Sequence, residues 1–500
     1  MVEGITFSDG LDPAEITQII VNKFKYSPVI RDMITAERYM QGESDIKNKS
    51  RVYYDKDRNA HDNPAASNVK INNNFLQLLV QQKQDYAFSK SFVFRLSGDD
   101  KAEVDLTDSD YGLAWKKFLD NNLYKLAYTL CGETVNKGIG WCYIWIDNGE
   151  LSVRSISPEL IYPVWSDRDH TILNKLVYNY QIEHYVGSMN PVIREYAEYW
   201  SDSARILYDV NNGYTEVVLQ RDSLGDSIQS HMVSGDVGVS WGKIPFICLK
   251  ASSGERPLLS YIKEYIDSYD MLLSKSIDGL IDDLDPLLVL KGVSSSVADL
   301  IEARELAKIT RTISLDTDGD AAYIQEQTPI DSYLRQLENI RRDIIRFGYG
   351  VDYEDSRFGG NPNQLVVKSL YQSLDTYTDG LERQFQTFIE NLKYFFDKWY
   401  EFTGQGSFEE CQRYKVLVKL DRSMMINVSS LIDDTTKLAG LNLSKKTQLE
   451  FNPIVQDVDL ELERLKKEEE EAGKDSLFGF EPKNKENVNL NEEVNPENEE

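Results

Sequence analysis

The sequence is poor in cysteine and has no long apolar run. It contains four cysteines, none of them in a CxxC pair: Cys131, Cys142, Cys248 and Cys411. So few thiols exclude a disulfide framework and a cysteine zinc site, and they favour a reducing, cytoplasmic setting. No stretch approaches the roughly 20 consecutive apolar residues of a membrane helix. Residues 1–10 also lack the basic start and apolar segment of a secretion signal, so we predict neither secretion nor membrane contact.

Positive charge is also scarce. The 500 residues include 55 Lys and Arg against 83 Asp and Glu, which gives a formal net charge of −28 at pH 7. Proteins that hold DNA tightly carry basic patches and gain affinity by releasing counterions. The composition therefore excludes tight DNA binding for the chain on average and leaves room only for weak or transient contact.

Catalytic motifs are missing as well. There is no GxxxxGK[ST] loop, no GxGxxG after a strand, no HExxH and no GxSxG. The four histidines are scattered, and we interpret them as structural or surface residues. Asp282, Asp283 and Asp285 have the ligand chemistry for Mg²⁺, but a solvated or channel-lining helix face is the favoured interpretation. We predict no catalytic residue, no metal and no cofactor.

Hydrophobic periodicity predicts an α+β chain that is predominantly helical. Helices at the N-terminus are followed by a mainly β region, 138–250, which includes a hairpin with an Asn148-Gly149 turn. A long helix, a small αβ insert, a return helix, a glycine-rich loop and a very long helix then follow in succession. The C-terminal segment 474–500 is acidic and of low complexity, which predicts disorder.

Six short motifs stand in a fixed order along most of the chain. They are Arg38-Tyr39-Met40-Gln41-Gly42, Asn68-Val69-Lys70-Ile71, Ser157-Pro158-Glu159, Gly242-Lys243-Ile244-Pro245-Phe246, Ile266-Asp267-Ser268-Tyr269-Asp270 and Leu443-Ser444-Lys445-Lys446-Thr447. With these six motifs in this order, the chain resembles the portal proteins of tailed bacteriophages, especially those of siphophages that infect Gram-positive hosts. One departure is the S-G-x-A-L-K pattern before the long helix, of which only Lys368 is kept.

The resemblance implies the portal fold, with wing, stem, clip and crown regions. The regions it implies are a wing at 1–255, a stem helix at 256–285, a clip at 286–328, a second stem helix at 329–347, a tunnel loop at 348–362, a long wing helix and strand at 363–429, a crown at 430–473 and an acidic tail at 474–500.

The resemblance also implies the function. Portal proteins form a ring, usually of twelve subunits, at one vertex of the capsid in the virion, and they are assembled in the host cytoplasm. The ring is the conduit for DNA packaging and ejection. The implied partners are terminase, the scaffold and major capsid proteins, head-completion or connector proteins, and weakly bound double-stranded DNA in transit.

The resemblance points to three groups of functional residues. The stem would line the channel with Asp267, Asp270, Asp278, Asp282, Asp283 and Asp285, and stacked rings of these carboxylates would keep DNA from adhering as it slides. The clip would meet its partners through Glu302, Arg304, Glu305 and Lys308. The tunnel loop would face the DNA with Asp352, Glu354, Asp355, Arg357, Phe358, Gly359, Gly360 and Asn361.

Two other hypotheses stay open at this point. The chain could instead be an acidic helical scaffold or adaptor of another large assembly, monomeric or dimeric until it meets its partner. A metal-dependent nuclease that uses Asp282, Asp283 and Asp285 is a more distant alternative.

Overall fold

The computed structural model describes the chain with gaps. The described residues are 7, 10–54, 57–62, 67–98, 109–185, 190–223, 225, 227–234, 237–282, 287–291, 320–324, 330–356, 364–422, 444–450, 455, 458, 461–462 and 464–469. The chain folds into two compact units. The first unit comprises residues 1–359 and 368–424, and the second comprises 360–367 and 425–500.

Two capped helices open the first unit. Helix α1, Pro13–Phe24, begins at Asp12, whose carboxylate accepts from the backbone N–H of Ala14. Helix α2, Pro28–Met40, begins at Ser27, which caps it through its hydroxyl. Proline in the first turn suits both helices, because its missing N–H would have no partner there. The helices predicted at the N-terminus are therefore confirmed.

A mainly helical part of the chain follows, with three short strands. Its elements are a short hairpin of β1, Val52–Tyr54, and β2, Ala60–Asp62; α3, Phe75–Phe88; β3, Val93–Ser97; α4, Asp110–Phe118; and α5, Tyr124–Lys137. A π-helical turn at Leu119–Leu123 joins α4 to α5. Helix α5 ends at Gly138, whose φ of 87° is the left-handed conformation that glycine adopts at helix ends.

The predicted β region contains three sheets. They are built from β4, Ile139–Asp147; β5, Glu150–Ile156; β6, Ile161–Trp165; β7, Leu173–His184; β8, Val192–Trp200; β9, Arg205–Asp209; β10, Thr215–Val217; β11, Met232–Ser234; β12, Val237–Val239; and β13, Phe246–Lys250. The strand orders are β13-β4-β5, β10-β9-β8-β7-β6 and β11-β12. Asn148 and Gly149 both have positive φ in the β4–β5 turn, as the Asn-Gly signal predicts.

Long helices dominate the rest of the first unit. They are α6, Leu259–Asp282; α7, Ile330–Phe347; and α8, Gln364–Phe402, of which residues 368–402 belong to this unit. Helices α6 and α7 pack against each other, and the ring of Tyr265 stacks on that of Phe347 at 5.3 Å. Between them in the sequence, β14, Leu287–Lys291, pairs antiparallel with β15, Asp320–Ile324. A short helix, α9, Phe408–Cys411, and strand β16, Lys415–Lys419, follow α8, and β16 pairs with β3.

The second unit is described only in part. It contains helix α10, Lys445–Glu450, which falls in the region predicted to be the crown. Lys445 forms an exposed ion pair with Glu469 at 2.6 Å.

Two apolar cores hold the first unit together. One forms where α3, α4 and α5 surround α8, with Trp115 stacked on Phe396 at 4.1 Å and Phe88 edge-on to Phe385 at 4.9 Å. The other lies between α1, α2 and the five-stranded sheet, and it includes Ile20. Helix α8 is buried in the first core, so it serves as the scaffold for the helices around it.

Helix α8 contains a glycine, Gly380, at a position where neither close packing nor a positive φ requires one. Gly380 is exposed, and a Cβ added there meets no described atom within 4 Å. We expect Gly380→Ala to raise the free energy of unfolding by up to about 1 kcal/mol, because alanine loses less backbone entropy in a helix than glycine does. Denaturant titration would measure the gain.

Gly138→Ala is the matched control. A Cβ at Gly138 would lie 2.4 Å from the carbonyl oxygen of Glu255, in addition to the strain of its positive φ. This variant should lose stability where Gly380→Ala gains it, and equal effects of the two changes would contradict the account.

Candidate functional site: helix α6 and its contacts

The buried stripe of α6 turns polar halfway along the helix. Ile262 and Ile266 are buried apolar residues, and the next residues at the same four-residue spacing are Asp270, Ser274 and Asp278. All three of these polar side chains are 0 % exposed. We call Asp270, Ser274 and Asp278 the acceptor ladder, because each accepts a backbone hydrogen bond from the segment 69–73.

The ladder binds alternate amides of that segment. Asp278 Oδ1 accepts from the N–H of Val69 at 2.7 Å, Ser274 Oγ from Ile71 at 3.1 Å, and Asp270 Oδ1 from Asn73 at 3.1 Å. Four residues of helix rise about 6 Å, and two residues of extended chain span about 6.6 Å. The two periods nearly match, so an extended segment can run antiparallel to the helix and satisfy every second N–H.

The other carboxylate oxygens of the ladder are also occupied. Asp270 Oδ2 accepts from the hydroxyl of Ser44 at 2.9 Å, and Asp278 Oδ2 accepts from Lys49 Nζ at 3.2 Å. Burial raises the pKa of Asp270, and its hydrogen bonds from Asn73 and Ser44 oppose that shift. The ladder therefore fastens residues 44–73 along the helix.

Closer to the start of α6, a partly exposed cluster of charged and polar side chains binds residues 39–45 to the same helix. Tyr39 donates to Asp267 Oδ1 at 2.5 Å, and Lys263 Nζ lies 2.6 Å from carboxylate oxygens of both Asp267 and Asp45. Burial works against ionisation of Asp45, but hydrogen bonds from Lys263 and Arg38 lower its pKa to about 2. Three of the six sequence motifs, which contain Tyr39, Val69 and Asp267, thus meet at one helix.

The structure corrects the predicted channel lining at two positions. Asp270 and Asp278 are buried within one chain, and a side chain buried in this way stays buried when copies assemble, so neither faces a channel. Asp267 is partly exposed but is neutralised by Lys263. Asp283 and Asp285, and the side chain of Asp282, lie outside the described residues.

Among its described side chains, the exposed stripe of α6 is nearly neutral. The stripe consists of Tyr261, Glu264, Ser268, Met271 and Lys275, so it carries one acid and one base. The spacing of Asp270 and Asp278 along the helix does not by itself reveal which side of the helix is buried. The backbone N–H groups of residues 69–73 need acceptors, and the acceptor ladder supplies them.

The described start of the predicted tunnel loop, 348–362, is held by an arginine of α7. Arg341 binds both carboxylate oxygens of Asp352, at 2.7 and 3.0 Å, and also contacts Glu354 at 2.5 Å. These two predicted loop acids are therefore paired, and Asp355 is half-buried. Arg357, Phe358, Gly359, Gly360 and Asn361 lie outside the described residues.

Helix α3 anchors the root of the same loop. Gln82 exchanges two hydrogen bonds with the backbone of Val351, at 2.8 and 3.0 Å, and Lys83 donates to the carbonyl oxygen of Gly348. Lys83 is fully buried and pairs with no described carboxylate, and this burial lowers its pKa to about 7. Gly348 and Gly350 pack against Leu79 so closely that a Cβ at either position would lie within 2.5 Å of its methyl groups.

The predicted clip residues are not tested. The β14–β15 pair is described, but Glu302, Arg304, Glu305 and Lys308 lie outside the described residues. Within the described part of the chain, no group of three or more His, Cys, Asp or Glu side chains is placed to hold a metal ion. The described helices include none that is long and apolar enough to span a membrane.

Known proteins match the chain over most of its length. The family model "Phage portal protein, SPP1 Gp6-like" matches residues 29–475. The portal protein of Bacillus phage SPP1 is 24% identical over 455 residues, which cover 90% of this chain and 85% of that protein. The portal protein of Clostridium phage phiCD119 is 24% identical over 454 residues, which cover 88% of this chain and 92% of that protein. The chain therefore belongs to the SPP1 Gp6-like family of phage portal proteins.

Proposed function

We propose that copies of this chain close into a ring of twelve at one vertex of the capsid and form the conduit through which the phage DNA enters and leaves. The observation that carries this proposal is the family match over residues 29–475. The alternative of an acidic scaffold in another assembly has no comparable support.

The described helices suit the stem of such a ring. Helices α6 and α7 pack as a pair, and the β14–β15 ribbon lies between them in the sequence. We assign α6 and α7 to the stem and the ribbon to the clip, 286–328. The wing would comprise 1–255 and 363–429, the tunnel loop 348–362 and the crown 430–473.

The channel wall in this proposal is less anionic than the sequence indicates. Two of the six stem carboxylates are buried in the acceptor ladder, and Asp267 is paired with Lys263. A wall in which three of the predicted carboxylates are buried or paired still offers DNA few attractive contacts, and the net charge of −28 opposes any lasting attachment. Double-stranded DNA would therefore be bound weakly and could slide.

The partners follow from the same assignment. We propose that the clip, through Glu302, Arg304, Glu305 and Lys308, meets terminase during packaging and the connector proteins afterwards. The scaffold and major capsid proteins would contact the ring as the head assembles. No catalytic step is assigned to this chain, because its role in the proposal is structural.

Sedimentation of the purified chain tests the proposal. A ring of twelve predicts a species of about twelve times the 57.5 kDa chain mass. The scaffold alternative predicts one or two chain masses, and a chain that stays at that mass at every concentration would contradict the ring.

A further inference from the structure

A cavity of about 470 Å³ opens at the described start of the tunnel loop. It lies between the first turn of α6, the end of α7 and the first turns of α8. Its lining residues are Tyr261, Arg346, Phe347, Tyr349, Ser369, Gln372, Ser373 and Thr376. Tyr349 is the second residue of the loop, so the cavity adjoins the segment that the proposed function turns toward DNA.

The polar groups of the cavity suit an anion. None of the lining residues is acidic, although the chain has 83 carboxylates. Arg346 is exposed and forms no ion pair with a described carboxylate. Gln372 and Ser373 face the cavity from α8 and carry donors, whereas the hydroxyl of Thr376 donates to the carbonyl oxygen of Gln372 at 2.9 Å. Arginine, amide and hydroxyl donors without a carboxylate are the typical set for a phosphate group.

The backbone at this place is strained and firmly held. Tyr349 has a φ of 53°, a left-handed conformation that costs a residue with a side chain on the order of 1 kcal/mol or more. Lys83 holds Gly348, directly before Tyr349, and Gln82 holds Val351, two residues after it. Backbone strain that neighbouring contacts maintain is common at functional sites. Here these contacts keep the Tyr349 side chain at the cavity.

We propose that this cavity binds a phosphate group of the DNA backbone, with Arg346 as the charged contact and Gln372 and Ser373 as hydrogen-bond donors. The proposal rests on the proposed function, because it needs DNA beside the tunnel loop. One arginine in the cavity lining of each subunit gives a weak contact that can be made and broken as the DNA moves. A weak contact is consistent with the net charge of −28, which opposes tight binding of DNA by the chain on average.

The test compares two arginines on the same helix. Arg346→Gln removes the charge at the cavity. Arg342→Gln removes the same charge from an exposed position where Arg342 pairs with Glu338 at 3.1 Å, away from the cavity lining. Binding of a duplex of about 30 base pairs to the assembled protein is followed by fluorescence anisotropy between about 50 and 200 mM salt. Sedimentation of each variant reports the ring separately.

We expect Arg346→Gln to weaken duplex binding about fivefold at the lower salt concentration and to reduce the salt slope by about 1, the loss typical of one phosphate contact. Arg342→Gln should change neither quantity by more than about twofold. Equal effects of both variants, no effect of Arg346→Gln, or no duplex binding by the wild type would overturn the proposal.

Two further outcomes separate this proposal from the ring. If Arg346→Gln folds but no longer assembles, a neighbouring copy fills the cavity and the phosphate proposal is wrong. If the wild type forms no ring, the proposed function fails, and the comparison of the two arginines in the unassembled chain still decides whether the cavity binds DNA phosphate.

Discussion

Replacing Asp278 by alanine should lower the free energy of unfolding by about 3–5 kcal/mol. The change removes a fully buried carboxylate and leaves the N–H of Val69 and the ammonium of Lys49 without their partner. An uncompensated buried charge costs far more than the loss of an exposed pair. Denaturant titration would measure the loss, and amide exchange at Val69 should accelerate.

Ser268→Ala is the matched control on the same helix. Ser268 is exposed, and its hydroxyl donates to the carbonyl oxygen of Glu264 in the preceding turn. The control should change stability by less than about 0.5 kcal/mol. A loss below about 1 kcal/mol in Asp278→Ala would show that the acceptor ladder does not hold residues 69–73.

The second large effect is expected at Asp397 in α8. This carboxylate is 0 % exposed and accepts from Lys393, Tyr111 and Gln412. Burial raises its pKa, and the charge of Lys393 opposes the shift. Asp397→Ala leaves Lys393 buried without this carboxylate, so we expect a loss of about 3–5 kcal/mol in the free energy of unfolding.

Glu401→Gln is the control for this change. Glu401 pairs with Lys398 at 3.1 Å on the same helix, but its side chain is 40% exposed. Exposed pairs contribute about 0–1 kcal/mol, so the control should be nearly neutral. If the two variants lose equal stability in the same denaturant titration, the buried cluster does not fasten α4 and α9 to α8.

Local signals explain what the sequence could predict. The N-cap at Asp12 followed by Pro13, the Asn148-Gly149 turn and the long apolar periods of α6 and α8 each act within a few residues of the element they define. These elements are confirmed by the structure. Strand β3 was missed, because it is defined by its pairing with β16, which lies far along the chain.

The acceptor ladder could not be predicted because its partners are distant. Asp270 and Asn73 are separated by 197 positions in the sequence, and a carboxylate looks the same whether it faces water or a buried N–H. One signal was present: Asp270, Ser274 and Asp278 continue the four-residue spacing of Ile262 and Ile266. Polar residues on a buried stripe indicate internal hydrogen bonds, and this distinguishes them from a charged outer face.

The cavity at the start of the loop could not be predicted from the sequence either, because its lining residues are far apart along the chain. Tyr261, Arg346 and Gln372 belong to three helices, and only their packing brings them together. The resemblance to portal proteins pointed to the loop between α7 and α8, but it did not point to residues on either side of it.

An electron-microscopy reconstruction of the assembled protein tests the central claim most directly. We predict a closed ring with a central channel along which α6 and α7 stand, with residues 69–73 still bound to the buried face of α6. The absence of a ring, or a ring whose channel is lined by the five-stranded sheet instead of these two helices, would contradict the account.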